Sequence, residues 1–323
     1  MRVRRHVLVL ATALLAVGAG AAPARESGGT PVAFVAVERE SRLVAVDLTA
    51  KEVVGRIEVP KGPRNVAAAD PRHLLVTSPP VGAVTLVDTF TRRVVRVFRG
   101  FGRPLDVAVE GRYGYVTDSR RDELVVIDLE RRRVTSRIRV AGRPQNVAVG
   151  DVALVTHNLP ENFVTIVSFA HPSGRGRVSF GRVRVPAPGA GDVSEQPDSA
   201  FAYVTLRKVG GLAAIDWGNR VAFWGGGAGF AQHVQFDYVH GRRVWGSAPW
   251  PGEVFALASR TGRQLRRLGG CPGAGPIAFG GQAWLVATCK DVDALAIWDT
   301  RTWKRRLVPV GDRPHGVAIA VVP

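Results

Sequence analysis

Residues 115–149, YVTDSRRDELVVIDLERRRVTSRIRVAGRPQNVAV, hold four short apolar runs separated by polar turns. The runs are Tyr115–Thr117, Leu124–Ile127, Arg133–Val140 and Val147–Val149, rich in Val, Ile and Tyr and bounded by Asp, Gly or Pro. Branched and aromatic residues in runs this short are strand chemistry, not helix chemistry. The preceding residues repeat the phrase: Leu74-Leu75-Val76-Thr77, Ala83 to Asp88, Arg93 to Phe98, then Gly102-Arg103-Pro104-Leu105-Asp106-Val107-Ala108-Val109. The position closing the second run reads Asp47, Asp88, Asp128, Ser168, Asp216, Ala258 and Asp299, at intervals of 41, 40, 40, 48, 42 and 41 residues. Seven copies of four strands predict an all-β chain, a seven-bladed β-propeller of four-stranded antiparallel blades. One blade cannot bury both its faces, whereas a ring of seven leaves no unstacked end.

The chain ends support the ring. The first copy starts at Val32–Val37 without the Val-Ala-Val strand that should precede it. Gly311 to Ala320 is that strand, with no later copy to belong to. The last strand is therefore expected to complete the first blade as its innermost strand, closing the ring and removing exposed edges. Residues 1–24 combine Arg2, Arg4, Arg5 and His6, the apolar Val7–Val17 and the small-residue Ala22-Pro23-Ala24. That layout predicts a cleaved signal peptide, hence a periplasmic or secreted protein. Residues 25–31 are expected to be a short flexible N-terminus, and 32–323 the propeller, with an insertion at about 171–191. The insertion carries Arg175, Arg177, Arg182 and Arg184 and reads as a basic hairpin or loop leaving the propeller. No later segment is apolar over the ~18 residues that a membrane helix needs.

Tyr115-Val116-Thr117-Asp118 and Tyr203-Val204-Thr205, with Val-Ile-Asp and Gly-x-x-Pro phrases following, resemble the YVTN repeats of the YncE-like β-propellers. The resemblance spans about residues 32–322 and is strongest in the first three blades. Ser78, Asp118, His157 and Leu206 stand where the family's repeat ends in Asn. The resemblance implies a fold more than an activity, because propellers host many functions.

The net charge is +17, of which Arg2, Arg4 and Arg5 contribute three within the expected signal. Such a chain attracts anions or acidic proteins. Its basic residues are spread over every repeat without the interleaved aromatics of a single-strand groove, which argues against nucleic acid. Only five of 44 basic residues are Lys, so the Arg excess is also readable as a genomic bias.

Two loop sets should share one face around the channel mouth, where binding sites are expected. They carry Arg64 and Asn65, Arg103 and Asp106, Arg143 and Asn146, Gln232 and His233, and Arg313 and His315. Arg-Pro recurs in three repeats, with Arg64 displaced by one position. Guanidinium groups so arranged are able to clamp a carboxylate or phosphate. Arg-Pro is equally a turn device. His157, His233 and His315, with Asp106 and Asp192, include zinc and copper ligand types. No His-x-x-x-His spacing supports a metal, and hydrogen bonding at the mouth is the plainer reading. Cys271 and Cys289, 18 residues apart on one face of one blade, are expected to form a disulfide worth about 3 kcal/mol. Gly225-Gly226-Gly227-Ala228-Gly229 has no helix after it and reads as a crossover, not a phosphate loop.

No catalytic residue, metal or cofactor is assigned, because nucleophile elbows, phosphate loops and His-Glu-x-x-His are absent. The leading expectation is a monomeric exported module that binds or scaffolds a periplasmic or extracellular protein, or an anionic ligand. The alternatives are a lactonase-like hydrolase, an accessory of a periplasmic quinoprotein or copper oxidoreductase system, and a structural envelope repeat protein.

Overall fold

The computed structural model describes residues 28–158, 160–196, 201–216, 221–224, 230–237 and 241–323. The expected signal peptide and the Gly225–Gly229 run lie outside them. Seven four-stranded antiparallel sheets stand as blades around a central channel. The first blade combines Pro314–Val322, Thr30–Val37, Arg42–Asp47 and Glu52–Glu58, in that order from the channel outward. The innermost strands of the second to seventh blades are Val66–Ala68, Pro104–Glu110, Pro144–Val149, Ala190–Gln196, His233–Asp237 and Ala274–Gly280.

Stacking explains why the strands are apolar on both faces. Along Thr30–Val37, residues Val32, Phe34 and Ala36 pack against Leu74, Val76 and Val87 of the second blade. The alternate residues Ala33, Val35 and Val37 pack against Val286, Leu295 and Ile297 of the seventh. Successive side chains point to opposite faces, so a strand between two blades needs an unbroken hydrophobic run. The closing strand pairs Ala320 with Val32, Ala318 with Phe34 and Val317 with Val35. Thr30 and Pro31 also pair, with Val322 and Val321, so the first strand begins two residues before the expected boundary.

The repeated Asp has a local role. Asp47 Oδ1 accepts hydrogen bonds from the backbone N–H of Thr49 and Ala50, Asp88 Oδ1 from Phe90 and Thr91, and Asp299 Oδ1 from Arg301 and Thr302. Each carboxylate closes the turn to the outermost strand of its blade.

The Thr of the repeat joins neighbouring blades. Thr77 Oγ1 donates to the Leu105 carbonyl (3.2 Å), Thr117 to Gln145 (2.8 Å), Thr156 to Gly191 (2.6 Å) and Thr205 to Gln232 (3.4 Å). Ser247 donates to Gly275 and Thr288 to His315. The same hydroxyls of Thr117, Thr156 and Thr205 accept an N–H from their own blade's innermost strand, and that of Thr77 accepts one from Asn65, just before Val66–Ala68. The first blade has Ala36 at this position and bridges differently. Gly316 donates its own N–H to the Arg64 carbonyl at 2.7 Å, an approach that leaves a Cβ on Gly316 only 2.6 Å from that oxygen. Thr156→Val keeps the volume but strands the half-buried Asn146 N–H and the buried Gly191 carbonyl. It is expected to lower unfolding stability by about 1–3 kcal/mol in urea titration, and an unchanged midpoint would deny the bridge its role.

The expected insertion does not leave the propeller. Val178–Arg184 pairs with Phe163–Phe169 as the outermost strand of the fourth blade. The loop before it folds back onto the third blade, where Tyr115 Oη donates to the Pro172 carbonyl (2.7 Å) and Thr135 Oγ1 to that of Ser173 (2.9 Å). Gly174, at φ +71°, lies so close that a Cβ would stand 3.0 Å from Val126, Ser136 and Ile138. A run with the composition of a free loop thus becomes a strand and a clasp.

Candidate functional site

One register position along the seven innermost strands, falling one residue before Val66–Ala68 in the second blade, builds a tier around the channel: Asn65, Asp106, Asn146, Asp192, His233, Pro276 and Gly316. The tier forms the upper wall of a channel cavity of about 520 Å³, whose lower wall includes Glu195. Above it the channel narrows to a neck of about 70 Å³. Residues from all seven blades line it, among them Arg64, Arg207, Lys290, His233, His315 and Asp192.

Arg64 reaches the neck because of its displacement by one residue. Arg103, Arg143 and Arg313 precede their prolines and stand exposed on the rim. Arg64 follows Pro63, in the register of Leu105, Gln145 and His315, which turns it inward. Arg207 and Lys290 each follow the second strand of their blade. Arg207 Nη2 donates to the Ala190 carbonyl at 3.4 Å. Among the described residues none of these three cations forms an ion pair. Arg313, by contrast, lies 3.2 Å from Glu38 Oε2.

Burial chiefly lowers the pKa of both Arg64 and Arg207; Glu38 opposes it at Arg64, where Arg103 and Arg207 add to it, and Asp192 opposes it at Arg207. Lys290 is pulled down to about 8 by burial and by the charges of Arg64 and Arg313. His315 is held well below the ordinary imidazole value by burial and by Arg64 and Lys290, and is neutral at pH 7. Among the described residues its Nδ1 has no hydrogen-bond partner, although it is buried. Unpaired buried polar atoms are rare, and each needs an explanation.

The floor of the neck is acidic. Asp106 accepts from Asn65 Nδ2 (2.9 Å) and from the Val147 N–H (2.9 Å), tying the second, third and fourth blades together. Burial, reinforced by Asp192, raises its pKa to about 7. Asp192 Oδ2 accepts the Val234 N–H and lies 3.4 Å from His233 Nδ1. Burial, opposed by Asp192, lowers the His233 pKa. Glu195, lower in the channel, is raised to about 7 by burial and by Asp151 and Glu110.

The structure therefore brings Arg64, Asn65, Asp106, Asn146, His233 and His315 together and leaves Arg103, Arg143 and Arg313 on the rim. His157 lies apart from the mouth, inside the fourth blade. Its Nε2 bonds Thr165 Oγ1 at 2.8 Å, its Nδ1 lies 3.2 Å from the Gly142 carbonyl, and burial lowers its pKa to about 4. The spacing had placed it in a loop, but the second strand of that blade runs on to His157, which pairs with Pro144. The rings of His233 and His315 meet edge to face, 6.3 Å apart. Among the described residues, no group of three His, Cys, Asp or Glu is placed to hold a metal ion. Cys271 and Cys289 form a disulfide with Cα atoms 4.9 Å apart, one residue before Lys290. Sequence reading missed Arg207 and Lys290, whose only signal is a cation directly after the second strand.

On the rim, Arg103, Arg120 and Arg143 line a cleft of about 660 Å³ together with Ser119, Asp122 and Asn158. Gln145 lines both this cleft and the neck.

No protein-family model and no curated protein sequence matches the chain. Solved structures show the same fold. A functionally unknown protein from Desulfotomaculum acetoxidans superposes with a TM-score of 0.76 at 14% identity, covering 90% of this chain and 99% of that one. Dihydro-heme d1 dehydrogenase NirN, in complex with DHE, gives 0.61 at 18% identity over 89% and 74% of the two chains. Apo AztD from Citrobacter koseri gives 0.61 at 11% identity over 90% and 98%. Among the described residues no helix is long and apolar enough to cross a membrane.

Proposed function

We propose that this propeller is a binding module that takes an anionic ligand in the neck of its channel. The observation that carries the reading is the convergence of Arg64, Arg207 and Lys290, from three blades, on one small space where, among the described residues, no carboxylate lies within ion-pair distance of them. Cations brought together and partly desolvated destabilise the fold unless an anion completes them. His315 Nδ1 supplies a further buried polar atom with no hydrogen-bond partner among the described residues. The chain is read as an exported member of the YVTN-like propellers. The repeat phrase and the N-terminal charge and apolar pattern support that placement.

The test compares the wild type with Arg64→Gln/Arg207→Gln/Lys290→Met at fixed ionic strength while acetate replaces chloride. The wild-type melting temperature should rise with acetate, since a ligand held by the folded state alone stabilises it. The triple variant should lose that rise. Equal rises in both proteins would refute the reading. Lys290→Met alone should raise unfolding stability without ligand by about 1 kcal/mol at pH 7, because it removes a charge that the fold disfavours.

A further inference from the structure

We infer that the neck and the rim cleft form one continuous site for the acidic C-terminal tail of a partner protein, whose terminal carboxylate enters the neck. This rests on the proposed anion site and adds the ligand's class and direction. Arg103, Arg120 and Arg143 come from two neighbouring blades, and among the described residues their guanidinium groups make no ion pair. The backbones that carry Arg103 and Arg143 are fixed, because their N–H groups donate to Asp118 Oδ1 and Asp122 Oδ1 at 2.7 Å each. Gln145, shared by the two spaces, is the seam along which a ligand would pass.

The spaces differ in shape and charge, and the differences select the ligand. The neck, at about 70 Å³, holds one small group, whereas the cleft, at about 660 Å³, holds several residues of an extended chain. At the neck, three cations stand above the carboxylates of Asp106 and Asp192. A singly charged planar carboxylate suits that balance, whereas a doubly charged phosphate would meet both acids at the floor. A guanidinium group binds a carboxylate by donating two parallel hydrogen bonds to its oxygens. The exposed arginines of the cleft are screened by salt and suit a flexible run of Glu or Asp. A chain end fits because the neck has room for a terminus and none for a loop.

The experiment measures, by calorimetry on the full chain, a synthetic six-residue peptide alternating Gly and Glu with a free terminal carboxylate. An amidated version, a version with Gln for Glu, acetate alone and a short polyphosphate are the comparisons. The free-acid peptide should bind best, and amidation should weaken it about tenfold. Arg103→Gln/Arg120→Gln/Arg143→Gln, all at exposed sites, should weaken it about tenfold while leaving acetate binding unchanged. If acetate binding depends on the neck residues but the Gln peptide equals the Glu peptide, or amidation changes nothing, the tail proposal falls and the neck site stands. Tighter binding of polyphosphate than of the peptide at equal charge also overturns it. If neither acetate nor peptide responds to the neck variants, the underlying anion site is itself refuted.

Discussion

A chain ending at Asp312 is expected to lose its cooperative fold. The strand it lacks, Pro314–Val322, pairs with Thr30–Val37 and supplies the channel wall of the first blade. Its side chains also complete two interfaces. Ala318, Ala320 and Val322 belong to the core shared with the second blade, and Val317 to that shared with the seventh. Without them the first blade would expose an unpaired edge, and both neighbouring cores would open to water. Burying a Val or Ile side chain contributes about 1.5–3 kcal/mol, so losing Val317, Ile319 and Val322 together approaches the roughly 5–15 kcal/mol by which whole proteins are stable. Circular dichroism of the truncated chain should show no sharp thermal transition, and a peptide covering 313–323 added in trans should restore one. A truncated chain that melts at the wild-type temperature would show that the ring closes without its clasp.

The second large effect is in pH. Asp106 has its pKa raised by burial from an ordinary 3.8 to about 7. The folded state therefore holds this proton more tightly than the unfolded chain does. Its contribution to stability is complete below about pH 4 and is lost as pH rises through 7, by as much as about 4 kcal/mol. Glu195, also raised to about 7, acts in the same direction. His157, lowered to about 4, acts in the opposite one, stabilising the fold as pH climbs toward its ordinary value. The difference between proteins isolates the acid. Urea titrations of Asp106→Asn and the wild type should diverge between pH 4 and 7, the variant gaining relative stability at the upper end. Parallel profiles would mean that Asp106 ionises like an exposed carboxylate. The same proton bears on the neck, since a neutral Asp106 removes negative charge from its floor, so anion binding should tighten as pH falls below 7.

Much of the fold was legible because propeller blades bury both faces. Runs such as Leu124–Ile127 have no polar side to expose, and the Asp that closes each turn recurs at a nearly constant interval. The complementary phrases at Val32–Val37 and Gly311–Ala320 point to the ring closure that the pairing of Pro314–Val322 with Thr30–Val37 makes. The site was less legible. The displacement of Arg64 is visible, but a single register step changes a rim residue into a neck residue, and composition carries no sign of that turn. Arg207 and Lys290 escaped notice because the corresponding turns hold Pro79, Ser119 and Asn158, so no repeat marks the position. Residues 171–184 misled because an outermost strand with exposed arginines has the composition of a loop. Only its pairing with Phe163–Phe169 sets the two apart.

The most direct measurement is a crystal structure grown in bromide, with anomalous scattering used to locate the ion. An occupied bromide among Arg64, Arg207 and Lys290, displaced when acetate replaces it, is the predicted result. Bromide bound at exposed surface arginines with the neck holding only water would contradict the anion site.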